Sequence, residues 1–187
     1  MKRFQIVLYV AIIFLLGACG TNIPEEQSAK IYDMWNYMTP PHSTDVEYDE
    51  YTNGQKTDYF HETTKVFDNS VERESGDEIT KLIPFESHIR VEESNGNVIT
   101  VQRNIKIGDS NIFDSSASTQ SCRAEDYLRS IIIKGYEFFN VIKVSCRADN
   151  TSKTDIYYGY DEGIVAIDRV DKDTRTEIVK VYERRLQ

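Results

Sequence analysis

Apolar and polar residues alternate with a period of two through most of this chain, the repeat of a strand that buries one face. Ile89 and Val91 alternate with charged residues. After the turn signal Asn95-Gly96-Asn97, the residues Ile99, Val101, Ile105 and Ile107 keep the same alternation. Val46 and Tyr48 open another such run, which Asn53-Gly54 closes with a strong hairpin dipeptide. Residues 56–67 are rich in Thr, Tyr, Phe and Val, which fit a pleated surface. Further short strands are predicted at residues 71–74, 79–85, 138–146, 155–160, 164–170 and 176–182. Two stretches have a different period. Ile31, Met34, Trp35 and Met38 fall at i, i+3, i+4 and i+7, one apolar face of a helix predicted over residues 24–38. Asn22 suits its cap, Pro24 its first turn, and Pro40-Pro41 stops it. Ala124, Tyr127, Leu128 and Ile131 repeat the helical spacing, with Lys134-Gly135 fitting a helix end. The β-branched run Ile131-Ile132-Ile133 leaves a strand open there. The fold expected is mainly β (α+β): a curved antiparallel meander sheet or partial barrel, with an N-terminal helix and one further helix packed on it.

The first 20 residues obey another logic. Met1-Lys2-Arg3 is a positive start, residues 4–16 are apolar apart from Gln5, and Leu16-Gly17-Ala18-Cys19 ends the run. A run this short, ending in small residues, reads as a signal peptide and not as a spanning helix. Leu16-Gly17-Ala18-Cys19 resembles the bacterial lipobox, the cleavage and acylation motif of envelope lipoproteins. The resemblance implies cleavage before Cys19, a diacylglyceryl thioether on its sulfur and an N-acyl chain on its new amine. Several acyl chains anchor stably where one does not. Gly20 stands where an Asp would signal inner-membrane retention, so the expected address is the outer membrane, facing the periplasm. The organisation that follows is a removed peptide at 1–18, a lipidated Cys19 with tether and helix over 19–44, and one β-rich domain at 45–187.

Composition changes the picture in two ways. With 12 Tyr and 8 Phe the chain has the aromatic content of a packed domain, not of a solvated tail. Its net charge is −9, and removal of Lys2 and Arg3 with the leader takes it to −11. That argues against the basic footprint of a nucleic-acid binder and against adsorption to anionic lipid through the domain surface at large. Once Cys19 is assigned to the anchor, Cys122 and Cys146 remain. An even pair in an exported chain is a candidate disulfide, and closing its 23-residue loop stabilises by about 3 kcal/mol in the chain-entropy picture. The spacing matches no zinc pattern.

Motifs that carry chemistry are sparse. His42, His61 and His88 stand outside H-E-x-x-H, and G-x-S-x-G, S-x-x-K and glycine-rich phosphate loops are absent from the sequence. The acids at 45–50 and at Asp161-Glu162 fit solvated strand faces and turns better than a glycosidase pair. Asp168, Asp171 and Asp173 lack the Gly and closing Glu of an EF-hand loop. Neither a metal site nor a cofactor beyond the lipid on Cys19 is expected. Two stretches are candidate contacts for a partner or ligand: the Ile31/Met34/Trp35/Met38 face, and Tyr157, Tyr158 and Tyr160 in a strand–turn–strand segment ending Gly163-Ile164-Val165. Similar Tyr-Tyr…Gly-x-Val hairpins occur in β-rich envelope lipoproteins. Core packing is the plainer role for both stretches.

The function expected is a non-catalytic interaction or assembly module, displayed on a lipid anchor and meeting an envelope protein. The first alternative is a carrier of a lipid or other apolar ligand in a half-barrel, an analogy with outer-membrane carriers at the level of fold. The second is an envelope hydrolase, which requires His61 or His88 to meet an acid or a serine in one cleft.

Overall fold

A computed structural model of the protein describes residues 29–115, 120–148 and 151–186. Among them, twelve strands form one antiparallel sheet that curls into a nearly closed barrel. The first strand among the described residues is β1 (Tyr32–Asp33), followed by one helical turn, α1 (Trp35–Met38). The meander then runs β2 (Thr44–Thr52), β3 (Gln55–Phe67), β4 (Ser70–Ser75), β5 (Glu78–Pro84), β6 (His88–Glu93) and β7 (Val98–Gln102). After β8 (Asn104–Ile105), which pairs with β1 in a separate ladder, β9 (Phe113–Ser115) returns to β7. The last strands are β10 (Ser121–Ile133), β11 (Tyr136–Arg147), β12 (Ser152–Gly159), β13 (Gly163–Asp171) and β14 (Thr174–Arg185). β14 pairs with β2, so the two halves of the meander join through the middle of the sheet.

The open edges, β9 and β10, approach each other across residues 108–112. Ile112 donates to Cys122 O at 3.3 Å while its own carbonyl accepts from Gln102 N at 2.8 Å. Gly108 N donates to Ala124 O and Ala124 N to Asp109 O, at 2.8 and 2.9 Å. A bridging loop at a barrel seam removes most of the exposed edge that such a sheet would otherwise present.

Both predicted helices are corrected. Of the N-terminal one, residues 24–28 lie outside the described residues and Ala29 is helical, but Tyr32–Asp33 is a strand, so the helix does not run unbroken to Met38 and the part after the strand is the single turn α1. Asp33 accepts from Trp35 N at 3.0 Å and forms a two-pronged ion pair with Arg103, while Met34 N donates to Arg103 O. These tertiary contacts fix one turn and leave Ile31 60% exposed, off the face its spacing predicted. The second helix is replaced by β10. A bulge between Ala124 and Asp126 shifts the strand's parity by one residue. That shift turns a period-two pattern into one that imitates helical spacing. The hairpin to β11 turns at Lys134-Gly135, both at positive φ (52° and 89°), the signature of a tight two-residue turn. The Asn53-Gly54 hairpin sits where the sequence predicted it.

Two cores result. The larger fills the barrel with Leu82, Ile89, Val101, Ile105, Ile112, Ile142 and Val144. Met34, Tyr37 and Met38 from the N-terminal segment and the bonded pair Cys122–Cys146 complete it. The smaller lies on the opposite face of β12–β14, where Val165, Ala166 and Val179 meet Phe138 and Val141 of the long β10–β11 hairpin. Lys134 at the hairpin tip clasps Glu177 at 2.7 Å and lies over the Tyr51 ring.

Candidate functional site

The structure brings the two candidate stretches together. Asp161 N donates to Asn36 O at 2.7 Å, docking the β12–β13 turn on α1. Tyr37 then meets Tyr160 edge-on, with ring centroids 5.4 Å apart. Tyr32 contacts Tyr37 at 6.1 Å and stacks on Tyr127 at 5.2 Å. Lys30 Nζ lies over both the Tyr32 and Tyr127 rings, a cation–π arrangement. Tyr127 is held in turn by Asn140, its hydroxyl 2.8 Å from Oδ1. The result is an aromatic mouth, with Tyr160 (45%) and Ile31 exposed at its rim.

Burial, with smaller effects from the neighbouring phenols, raises the Tyr37 hydroxyl well above the usual tyrosine range. Tyr32 is raised for the same first reason. Its hydroxyl is enclosed without a hydrogen-bond partner among the described residues. Neutral phenols packed this way recognise apolar and aromatic surfaces and are poor nucleophiles.

The other predicted contacts part company. Met34 and Met38 are core residues, at 0% and 5% exposure, and Trp35 is partly buried against the same core. Tyr158 is buried in the large core, and burial pushes its hydroxyl up to about 12, against a lowering influence from Arg73. Tyr157, its neighbour in the strand, faces the opposite side and the smaller core. Cys19 lies outside the described residues. Cys122 and Cys146 are directly paired across β10 and β11.

Charged groups lie below the mouth, and they are paired. Arg73 donates to Met38 O and faces Glu62 at 3.9 Å. Lys180 is held by Glu162 and Glu183. Tyr48 donates to Ile164 O at 2.9 Å. The histidines are dispersed. His61 sits on β3 beside Tyr59 and Glu47, whereas His88 sits on β6, stacked on Phe85. Sequence reasoning missed Tyr32, Tyr37 and Tyr127, because their shared position depends on the barrel closing around residues 30–38. The one available signal was the chain's richness in tyrosine.

No family model matches the chain, and no curated protein matches its sequence. Among solved structures, a Parabacteroides distasonis protein named "putative lipoprotein" aligns over 79% of this chain and 98% of its own. The identity is 10% and the TM-score 0.39. The likeness is too loose to carry structure or function from one protein to the other.

Proposed function

We propose that this chain is a lipoprotein of the bacterial cell envelope, cut before Cys19 and held there by lipid, facing the periplasm from the outer membrane. In this reading it is a non-catalytic interaction module, and the aromatic mouth is the surface it offers to an envelope protein. The observation that carries the reading is that the mouth and the start of the tether coincide. Residues 19–29 span at most about 35 Å when extended, so the rim at Ile31 and Tyr160 stays close to the membrane. An exposed rim of aromatic and branched side chains around buried tyrosines has the composition of a protein-contact patch. The apolar-carrier alternative has less support. The concave side of the sheet is filled by the chain's own Met34, Tyr37, Met38 and Ile142, where a carrier would hold its ligand.

The test has two arms in cells making the full chain. Metabolic labelling with a palmitate analogue should mark the parent and fail with Cys19→Ser; labelling that survives the substitution overturns the anchor. A photo-crosslinking residue at Ile31 or Tyr160 should give one discrete adduct with another protein. The same residue at Tyr59, on the outer face of β3, should not. Equal adducts from all three positions, or none from the rim, overturn the mouth as the contact surface.

A further inference from the structure

A second site lies on the outer face of the β10–β11 pair, away from the mouth. Cys122 and Cys146 face the core at 2% and 3% exposure. Their flanking pairs, Ser121 with Arg147 and Arg123 with Ser145, therefore face the other side of the ladder, where Ser121, Arg123 and Arg147 are exposed and Ser145 is covered by its neighbours. The four side chains form a chequerboard in which the two arginines are diagonal neighbours, about 7–8 Å apart at the backbone. Ser110 extends it across the seam, bridged to Arg123. Gly108, at a φ of 104°, lies beside the arginine: a side-chain carbon there would be in ordinary contact with Arg123 Nη2, at 3.7 Å. A cleft of about 320 Å³ results, lined by Ser110, Ser121, Arg123, Glu125, Ser145 and Arg147.

The electrostatics of this cleft oppose those of the whole molecule. The chain is strongly acidic, yet Arg123 and Arg147 have no carboxylate partner among the described residues. Glu125, on the cleft wall, is neutralised by Lys143 at 2.7 Å. Lys143 and Lys153 also hold Asp155, at 3.1 and 3.0 Å. Four bases thus face two acids in a patch on a protein of net charge −9. Each guanidinium offers a planar fork of donors, the geometry that fits a tetrahedral or planar oxyanion, and the Ser110 hydroxyl adds a neutral donor. The disulfide beneath ties the two strands at the residues between the arginines, so the backbone positions that carry the forks are fixed relative to each other before a ligand arrives.

We propose that this cleft binds an oxyanion of the phosphate class, clamped between Arg123 and Arg147. The chemistry is that of a free phosphate, a phosphorylated solute or an anionic lipid headgroup. Its size suits one phosphoryl group with a small substituent.

The experiment uses the full chain in maltoside micelles, titrated with inorganic phosphate by calorimetry at constant ionic strength. The parent should show saturable binding. Arg123→Gln/Arg147→Gln should weaken it at least tenfold. Arg129→Gln, which removes an exposed charge elsewhere on β10, should leave it within twofold. Arg123→Lys/Arg147→Lys keeps the charge and loses the forks, and should fall between parent and double glutamine variant. Unchanged melting temperatures establish that the variants are folded. Doping the micelles with phosphatidylglycerol separates the sources: a headgroup ligand competes and lowers the apparent phosphate affinity, and a soluble ligand leaves it unchanged. Absence of saturable binding in the parent, or equal loss in Arg129→Gln, overturns the site.

Discussion

Removing the Cys122–Cys146 bond tests how the long β10–β11 hairpin is held. The two sulfurs link positions 24 apart in sequence, and both cysteines are buried in the large core. In the loop-entropy picture, closing a loop of that length removes about 11.6 cal/mol/K from the unfolded chain, about 3.4 kcal/mol at 25 °C. Unfolding entropy of about 2.1 cal/mol/K per residue, over roughly 150 folded residues, converts this to a fall in Tm of about 10 °C. The perturbation is Cys122→Ala/Cys146→Ala, which avoids burying hydroxyls where serines would. The assay is differential scanning calorimetry of the full chain in maltoside micelles at pH 7, parent against double variant. The pair sits directly opposite in the ladder, so native geometry needs little adjustment when the bond is absent. A fall of less than about 3 °C would refute the reasoning. It would mean that the hairpin closed at Lys134-Gly135 already keeps the two strands together in the unfolded ensemble, leaving the bond little entropy to remove.

Two further outcomes follow from the packing. Met34 is completely buried between the N-terminal segment and the barrel core, so Met34→Ala should destabilise by about 2–5 kcal/mol. A chemical-denaturation midpoint unchanged from the parent would show that residues 30–38 are not part of the cooperative unit. Tyr158 has its hydroxyl raised from 10.0 to about 12, so the folded state keeps a proton that the unfolded state gives up. Its contribution is complete below pH 10 and is lost as pH rises from about 10 to about 12. Tyr158→Phe should flatten the fall in stability over that window, measured by urea unfolding at stepped pH; an unaltered slope would contradict the assignment.

The strands were legible because their information is local. Asn53-Gly54 announces its own turn, and Ile89/Val91 and Ile99/Val101 announce which face is buried. The helices were misread where the local signal was ambiguous. One turn of spacing at Met34, Trp35 and Met38 fits a long helix as well as a short one, and nothing nearby says that Tyr32–Asp33 will pair with Asn104–Ile105. In β10, one bulged residue at Glu125 changes the parity, so Ala124, Tyr127, Leu128 and Ile131 look helical when read without their partner strand. The mouth was half legible. Tyr160 and the 31–38 segment stood out separately, and their meeting at Tyr37 did not.

By itself the sequence determined the mainly β character, the antiparallel meander order and the candidate pairing of Cys122 with Cys146. Alternation, turn residues and cysteine parity are properties of neighbours along the chain. Only the tertiary structure decided that β14 joins β2, that the sheet curls far enough for residues 108–112 to bridge its edges, and that Met34 and Met38 fill the hollow. It alone also set Arg123 and Arg147 diagonally over the disulfide. These depend on register and curvature, which arise when strands distant in sequence share hydrogen bonds and bury a common face.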